Sequence, residues 1–359
     1  LGRVLDAKGN PLDGRPAPKF DVEWPLYGEP INPVERRRIS EPVDLGIRAI
    51  NGLLPCGLGQ RIGIMAGSGV GKSVLLGMMA RYTSADINVI GLIGERGREV
   101  KEFIERDLGA EGLARSVVIA ATSDVSPLLR TRGAFMATAI ADYFRQQGQN
   151  VLLMMDSVTR FAMAQREVGL AVGEPPTTKG YTPSVLALLP RLLEQAGMGR
   201  GRGSVTGIYT VLVEGDDLTD PVADGVRSIL DGHITLSRRL AERNHFPAID
   251  PLASTSRLMR EVASREHVQM AGRILRLIAI HREAETLINI GAYAKGSNPD
   301  IDKSIAMMPA INNYLRQEIE QGATIADSVQ GLKQLCAAAD AYVRSQSRAS
   351  AEPAMAPLR

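Results

Sequence analysis

Residues 66–73 read Ala-Gly-Ser-Gly-Val-Gly-Lys-Ser and come directly after the apolar run Arg61-Ile-Gly-Ile-Met65. An apolar run followed by alternating glycines predicts a strand, a tight turn and then a helix that opens near Lys72. Such a turn points successive backbone N–H groups at one anion, and the positive end of the helix dipole adds to the attraction. We call residues 66–73 the phosphate loop, because the pattern is typical of a turn that binds phosphate groups.

Two side chains of the phosphate loop complete its predicted chemistry. Lys72 supplies a mobile positive charge for the outer phosphates, and the Ser73 hydroxyl is a ligand for magnesium. The pattern normally begins with glycine and here begins with Ala66, so this position must accommodate a Cβ atom. The spacing differs from the G-x-G-x-x-G pattern of dinucleotide-binding proteins, and a nucleoside triphosphate is the predicted ligand. The residues predicted to contact it are Gly67, Ser68, Gly69, Val70, Gly71, Lys72, Ser73 and Val74.

Apolar runs alternate with helical patterns from about residue 61 onward. The strand candidates are residues 61–66, 88–93, 116–121, 151–155, 204–213 and 233–236. The helix candidates between them are residues 72–83, 97–107, 130–147, 157–168 and 184–196. Because the strands are apolar on both faces, we expect an α/β fold with a mostly parallel sheet covered by helices. Ligands of such sheets bind at the carboxyl ends of the strands, where the phosphate loop falls.

Changes in composition divide the chain into segments. Six prolines within residues 1–40 predict an extended lead-in with one or two short strands and no helix, which ends an N-terminal domain and continues as a linker. Residues 41–269 form the predicted α/β domain. Apolar residues at helical spacing predict a helical C-terminal domain over residues 270–343. Residues 344–359 offer almost nothing to bury, so we expect disorder there.

The composition excludes several classes of protein. Lysine and arginine number 42 against 40 acidic residues, so no overall field attracts nucleic acid or an anionic membrane. The one dense basic run, Arg36–Arg38, is expected to be a solvated loop. Cys56 and Cys336 are expected to be buried free thiols, and the histidines lack metal-ligand spacing. No apolar stretch approaches the ~20 residues that a membrane span needs, so we expect a cytoplasmic protein.

Two acidic residues stand where strand candidates end. Asp156 closes an apolar run, and in phosphate-loop enzymes an acid there holds the magnesium shell beside the serine of the loop. Glu95 follows the second strand candidate, where a carboxylate can orient and polarise an attacking water. The alternative role of Glu95 is to favour the dipole of the next helix, which Glu99 satisfies equally well. Arg96 or Arg98 in the same turn can neutralise phosphate charge, and at least one of the two is expected to be an ordinary surface arginine.

The residues around these acids form long motifs: Gly94-Glu-Arg-Gly-Arg-Glu99, Asp156-Ser-Val-Thr-Arg-Phe-Ala-Met-Ala-Gln-Arg166, Gly173-Glu-Pro-Pro176 with Lys179-Gly-Tyr181, and Leu230-Asp-Gly-His-Ile234. Together they resemble the hexameric type III protein-export ATPases, which are relatives of the catalytic subunit of rotary ATP synthase. The resemblance covers nearly everything from Leu1 to about residue 310. Residues 81–86 and 211–217 are most similar to the flagellar branch, and the injectisome branch of virulence secretion is the alternative.

The resemblance implies a RecA-like nucleotide-binding domain that binds ATP and Mg²⁺. It implies that Lys72 and Ser73 bind phosphates and the metal, and that Asp156 holds the metal through water. Glu95 is the catalytic carboxylate in this comparison. These roles agree with those that the residues suggest by themselves.

The resemblance also implies roles that spacing does not reveal. Arg96 and Arg160 match arginines near the outer phosphate. Arg257 matches the arginine finger that enters the neighbouring subunit's site, although a surface position at a helix start is its default interpretation. Phe246 matches an aromatic ring that stacks on adenine, although a core aromatic beside proline is the alternative. Tyr293 is a further candidate for the adenine pocket.

The resemblance implies a homohexamer at the cytoplasmic face of the inner membrane, held there through partner proteins. The implied partners are export-gate, stalk and regulator proteins, chaperones and export substrates. The family begins with a β-barrel domain, and we expect that this chain, which opens at Leu1, lacks it. An acidic loop that the family turns toward the central channel contains Asp216, Asp217, Asp220 and Asp224, and a solvated loop is the alternative.

Three functions compete at this point: an ATP-hydrolysing export motor, an RNA translocase of the same nucleotide fold, and a noncatalytic ring subunit. A translocase needs a basic track with aromatic residues, whereas aromatics are 4% of this chain and its charge is balanced. The basic, glycine-rich residues 197–203 can touch RNA, but we favour a mobile surface connection. A noncatalytic subunit usually lacks the carboxylate that Glu95 provides. The export motor, without nucleic acid as partner, is therefore the favoured function.

Overall fold

The computed structural model describes residues 1–19, 22–28, 31–213 and 220–351, with only the backbone for residues 347–351. The strands are β1 (Arg3–Leu5), β2 (Pro42–Val43), β3 (Cys56–Gly57), β4 (Arg61–Ala66), β5 (Ile87–Ile93), β6 (Ser116–Ala121), β7 (Asn150–Asp156), β8 (Gly197–Met198), β9 (Ser204–Leu212), β10 (Gly232–Leu236) and β11 (Ile249–Ser256). The helices are α1 (Arg48–Leu53), α2 (Lys72–Tyr82), α3 (Gly97–Glu102), α4 (Gly109–Ala114), α5 (Pro127–Gln146), α6 (Val158–Ala171), α7 (Pro183–Leu193), α8 (Pro221–Ile229), α9 (Arg238–Glu242), α10 (Met259–Val262), α11 (Arg265–Asn289), α12 (Pro299–Leu315) and α13 (Ile325–Ala351).

The central sheet has the strand order β1-β6-β5-β7-β9-β4-β10-β11, and β8 pairs with β9 beside this path. The pairs from β1 to β10 along this order are parallel, and only β10–β11 and β8–β9 are antiparallel. The prediction of a mostly parallel sheet is confirmed. The carboxyl ends of β4, β5 and β7 consequently lie at one edge of the sheet.

Helices cover both faces of the sheet because its central strands are apolar on both sides. On one face Leu76 and Met79 of α2 pack into a core that continues to Ile311 of α12 and the helices near it. On the other face Phe135 of α5 and Phe161 of α6 pack edge to face, with ring centroids 5.8 Å apart. This two-sided cover fixes the strand ends that carry the site.

The N-terminal segment differs from its predicted role as the end of a separate domain. β1 pairs in parallel with β6, in the register Arg3 to Val117, and so extends the central sheet. Val4 and Leu5 are buried there. A short strand within residues 1–40 is expected from the sequence and is present as β1. Its place in the central sheet is not predicted, because three residues are too few to give a periodic pattern.

The helical C-terminal region begins earlier and ends later than the pattern predicts. Ser264 caps α11 by accepting a hydrogen bond from the His267 N–H, so the helix begins at Arg265 rather than near residue 270. α13 continues to Ala351, so the predicted disorder from residue 344 is wrong for residues 344–351, and residues 352–359 lie outside the described part.

Several short elements are absent from the candidates, and two further differences have a clear cause. β11 is absent from the strand candidates because Pro251 and several polar side chains interrupt its apolar pattern, as befits an edge strand. The helix predicted over residues 97–107 is instead α3 followed by a π-helical turn over Phe103–Leu108. The other predicted helices and strands agree with the structure to within three residues at most ends.

Hydrogen bonds tie the basic run Arg36–Arg38 to residues near the glycine-rich stretch 197–203. The Arg36 guanidinium donates to the Glu194 carbonyl oxygen at 2.6 Å, and Arg37 donates to the Arg202 carbonyl oxygen at 2.5 Å. Gly197 and Met198 form β8, so part of the glycine-rich stretch is a strand. Arg37 and Arg38 are exposed, which agrees with the expected solvated loop, whereas Arg36 is half-buried. The expectation of a connection over residues 197–203 is corrected only for Gly197 and Met198, which form β8.

The two cysteines are free and buried, as predicted. Burial raises the pKa of the Cys56 thiol to about 12. In the described part of the chain, no helix is both long and apolar enough to cross a bilayer.

Candidate active site

The phosphate loop connects the end of β4 to the start of α2, as the sequence predicts. Gly69 and Gly71 adopt left-handed backbone conformations, with φ angles of 75° and 87°, which residues with a Cβ rarely adopt. The Gly71 carbonyl oxygen accepts the Leu75 N–H at 3.0 Å and begins the helix. Val70 is buried beneath the loop, Val74 packs against the core, and Ser68 is exposed.

Lys72, Glu95 and Asp156 converge at the carboxyl edge of the sheet. The Lys72 Nζ lies 2.5 Å from Asp156 Oδ1 and 3.7 Å from Glu95 Oε1. β5 and β7 are neighbouring strands, so Glu95, which follows β5, lies close to Asp156, which ends β7. Lys72 extends toward both carboxylates from the start of α2. The structure therefore assembles the three side chains that the sequence analysis assigned to phosphate binding, metal binding and catalysis.

Thr210 is part of this cluster and was not anticipated. Its Oγ1 donates to Asp156 Oδ1 at 2.7 Å from the middle of β9, the strand next to β7. This contact orients the carboxylate and leaves its other oxygen for further ligands. The only signal in the sequence is a hydroxyl within an apolar strand, which also occurs where no site exists.

Burial shapes the charges of the cluster. Burial, with the negative charge of Asp156, raises the pKa of Glu95 to about 7, although Lys72 and Arg160 oppose the rise. Burial acts to lower the pKa of Lys72, but the carboxylates of Asp156 and Glu95 outweigh it and raise the pKa. The lysine is therefore protonated near neutral pH, while Glu95 is suited to exchange a proton in that range.

Of the two predicted phosphate arginines, only Arg160 lies at the cluster. A Cβ on Gly94 would lie 2.7 Å from the Arg160 Cβ, so the side chain of Arg160 packs against the turn that carries Glu95. The Arg160 Nε is buried and makes no hydrogen bond in the described part of the chain. Arg96, by contrast, is 77% exposed and pairs with Glu99 at 3.6 Å. The structure thus turns Arg96 away from Lys72, because it stands at the N-cap of α3.

The two aromatic candidates lie in different places. The Phe246 ring lies 3.4 Å from the position that a Cβ on Gly71 would occupy, and it is 40% exposed. It is therefore available for stacking beside the phosphate loop. The Tyr293 hydroxyl bonds instead to the Asn298 carbonyl oxygen and to Asp302, within the turn between α11 and α12. The structure does not bring Tyr293 to the phosphate loop.

Arg257 lies apart from the cluster in the same chain. It follows β11, its side chain is exposed, and its guanidinium donates to the Arg227 carbonyl oxygen at 3.2 Å. Its backbone N–H donates to the Asp231 carbonyl oxygen. The residues of the predicted acidic loop are not all described: Asp216 and Asp217 lie outside the described residues. Asp220 caps α8, and Asp224 lies in its first turn.

The donors near the loop suit a magnesium ion. Asp156 presents a carboxylate and Ser73 a hydroxyl, and oxygen ligands of this kind are those that Mg²⁺ prefers. Among the described residues, no three His, Cys, Asp or Glu side chains form a ligand cluster. Mg²⁺ is usually held by one or two carboxylates together with waters and substrate phosphates, so this sparse donor set fits it.

Comparison with known proteins shows the family of this chain. Residues 46–256 match the model of the ATP synthase alpha/beta family, nucleotide-binding domain, and residues 263–334 match the T3SS EscN ATPase C-terminal domain. The flagellum-specific ATP synthase of Salmonella typhimurium is 58% identical over 333 residues, which are 92% of this chain and 73% of that protein. This chain belongs to the family of flagellum-specific and type III secretion ATPases.

Relatives from both branches of this family are similar to the chain. The type 3 secretion system ATPase of Xanthomonas euvesicatoria is 55% identical over 321 residues, covering 89% of this chain and 72% of that protein. The assembled ATPase EscN of enteropathogenic E. coli is 50% identical with a TM-score of 0.88, covering 93% of this chain and 81% of EscN. A structure of EscN with its central stalk EscO gives a TM-score of 0.87 at 50% identity, over 93% of this chain and 81% of that one. The resemblance to the type III export ATPases, and with it the prediction of an ATPase, is confirmed.

Proposed function

We propose that this chain hydrolyses Mg-ATP at the cluster of Lys72, Glu95 and Asp156, and that the hydrolysis serves type III protein export. The observation that carries the proposal is the 2.5 Å and 3.7 Å contacts of the Lys72 ammonium with the two carboxylates, directly behind the phosphate loop. A lysine, a metal-binding acid and a second carboxylate in this arrangement are the parts that phosphoryl transfer to water needs.

Each residue has a separate role in the proposed reaction. The backbone N–H groups of the phosphate loop and Lys72 bind the phosphates, while Thr210 orients Asp156. Ser73 and Asp156 would hold Mg²⁺, which when bound neutralises phosphate charge. Glu95 orients the attacking water and accepts its proton, a role that suits its raised pKa. Arg160 packs beside Glu95 and places a positive charge near the outer phosphate.

The site is completed by a neighbouring subunit in this proposal. The exposed Arg257 guanidinium lies apart from the cluster of its own chain, which suits delivery to the site of another copy. An arginine supplied in this way is worth roughly 10³–10⁵ in rate. The similarity to the assembled ATPase EscN supports a homohexamer. Stalk, export-gate and regulator proteins, chaperones and export substrates are the proposed partners, at the cytoplasmic face of the inner membrane.

The ATPase part of the proposal is tested with the purified chain. We expect magnesium-dependent ATP hydrolysis that is unchanged by added RNA and lost on chelation of the metal. Hydrolysis without magnesium, or a strong stimulation by RNA, would contradict the proposal. Stimulation by RNA would favour the translocase.

The export branch needs a separate experiment, because relatives from both branches match at similar identity. We propose the flagellar branch. A chimera in which this chain replaces the matching 333 residues of the Salmonella relative is expected to restore motility to a strain without that protein. Failure of the chimera, with normal ATPase activity in vitro, would favour the injectisome branch. A chimera with Lys72→Ala controls for expression and is expected to stay non-motile.

A further inference from the structure

One segment of the chain contacts both ends of the phosphate loop. Residues 237–247 run from the end of β10 through α9 to Pro247. The Arg238 guanidinium lies against Gly67 at the start of the phosphate loop, and the Phe246 ring lies against Gly71 at its end. Phe246 already has a proposed role, whereas Arg238 has none.

The sheet explains why Arg238 is held beside Gly67. β10 pairs in parallel with β4 in the register Leu236 to Ala66, so the residues that follow the two strands are neighbours. The Ser237 N–H donates to the Ala248 carbonyl oxygen at 2.8 Å, which ties the chain to β11. The Ser237 hydroxyl caps α9, of which Arg238 is the first residue. The position of Arg238 is therefore set by backbone pairing rather than by a mobile loop.

The contact with Gly67 is close. The Arg238 Nη2 lies 3.0 Å, and its Cζ 3.9 Å, from the position that a Cβ on Gly67 would occupy. The Val213 carbonyl oxygen lies 3.7 Å from the same position on the other side. Unlike Gly69 and Gly71, Gly67 has no positive φ angle, so the turn does not require glycine at this position. The absence of a side chain instead allows the Arg238 guanidinium to lie close to the backbone.

Arg238 and the neighbouring Arg239 are both exposed, but their guanidinium groups lie against different parts of the chain. Arg239 donates to Glu285 of α11 at 2.7 Å and is half exposed, so its charge is directed to the helical domain. Arg238, one residue earlier, directs its charge to the phosphate loop. A guanidinium stays protonated throughout the accessible pH range and favours phosphate as a partner.

We propose that Arg238 is a positioning residue of the nucleotide site: its guanidinium braces the start of the phosphate loop through Gly67 and adds positive charge beside the bound phosphates. This inference rests on the proposed ATPase function. Loss of the Arg238 side chain weakens the binding of ATP more than it slows the chemical step, because Glu95 and Lys72 are unchanged.

The first test compares Arg238→Ala with Arg239→Ala, a control that removes the same charge one residue away. We expect Arg238→Ala to raise the KM for ATP by about tenfold, with kcat changed less than threefold, and its KM to depend less on salt than that of the parent protein. The KM of Arg238→Lys is expected to lie between that of the parent and that of Arg238→Ala, and the KM of Arg239→Ala is expected to stay within about twofold of the parent. Equal KM values for Arg238→Ala and the parent, or equal shifts in the two alanine variants, overturn the inference.

The second test asks whether Arg238 acts through Gly67. Gly67→Ala is expected to weaken binding of a fluorescent ATP analogue when Arg238 is present, because the added methyl group displaces the guanidinium, and to weaken it less when Arg238→Ala makes room for that group. Additive effects in the double variant would overturn the coupling. Thermal unfolding of each variant separates loss of the fold from loss of the contact. A parent protein that neither binds nor hydrolyses Mg-ATP contradicts the proposed function, whereas an active parent with an unaffected Arg238→Ala contradicts only this inference.

Discussion

The Lys72 ammonium lies between the buried carboxylate of Asp156 and the half-buried carboxylate of Glu95, 2.5 Å from Asp156 Oδ1 and 3.7 Å from Glu95 Oε1. One positive charge thus stabilises two negative charges that would otherwise repel each other in a poorly hydrated site. The same ammonium is the proposed phosphate ligand, so the three side chains form one electrostatic unit. Changes to any of them are expected to affect the others.

Lys72→Ala is expected to reduce the affinity for Mg-ATP at least a hundredfold, because it removes the phosphate-binding charge and leaves two acids uncompensated. Isothermal titration calorimetry measures this loss. Lys101→Ala is the matched control, since Lys101 is exposed and pairs with Glu105. Affinity retained by Lys72→Ala, or lost equally in the control, would contradict the assigned site.

Glu95→Gln is expected to bind Mg-ATP with nearly unchanged affinity and to hydrolyse it about 10²–10⁴-fold more slowly. The amide keeps the shape of the carboxylate but cannot accept a proton from water. Single-turnover hydrolysis together with nucleotide binding measures both effects. Glu102→Gln, which changes an exposed acid paired with Arg98, should behave as the parent. A fully active Glu95→Gln would assign Glu95 to the helix-dipole role instead.

Phe246→Ala is expected to weaken ATP binding by about 1–3 kcal/mol, the usual range for stacking of a base on an aromatic ring. Phe246→Trp should retain the affinity, because it keeps an aromatic face beside the phosphate loop. Tyr293→Phe serves as the comparison and is expected to leave the affinity unchanged, since the Tyr293 hydroxyl bonds within the α11–α12 turn. Titration with a fluorescent ATP analogue shows which of the two aromatic residues contributes to ATP binding.

Sharing of the site between subunits predicts complementation. Glu95→Gln and Arg257→Ala are each expected to be nearly inactive. A mixture restores part of the rate, because an Arg257→Ala subunit keeps its own Glu95 and receives the arginine of a Glu95→Gln neighbour. Steady-state ATPase rates are measured under conditions where rings form and exchange subunits. A mixture as inactive as both parents would show that Arg257 does not act in trans.

Acid is expected to destabilise the fold partly through His245. This side chain is 3% exposed, and burial, together with the charge of Arg316, lowers its pKa. The unfolded chain takes up a proton on this histidine near pH 6.5 more readily than the folded chain does. Neutral His245 therefore contributes fully to the free energy of unfolding above that pH, and this contribution is lost as the pH falls below it. Melting temperatures between pH 8 and pH 5.5 should therefore fall less steeply for His245→Asn than for the parent. Equal slopes would exclude His245 as the cause.

The parts of the site that follow from local sequence were predicted. The phosphate loop is determined by glycine placement within eight residues, and Lys72 and Ser73 follow from it. Glu95 and Asp156 were predicted together because the carboxyl ends of parallel strands share one edge, a rule that needs only strand patterns. The sheet itself was predictable for the same reason, since its central strands are continuous apolar runs.

Other features depend on contacts between distant parts of the chain. Strand order places Thr210 on Asp156, and the pairing of β10 with β4 places Arg238 on Gly67. The family resemblance implies the same phosphate role for Arg96 and Arg160, yet Arg96 at the N-cap of α3 is exposed, whereas Arg160 packs against Gly94 beside Glu95.

The sequence by itself determined the chemistry of the phosphate loop and the class of fold, because backbone conformation and apolar periodicity are properties of neighbouring residues. Only the tertiary structure decided which arginines, threonines and aromatic rings face the nucleotide site, because the direction of a side chain depends on strand order and on what packs beside it.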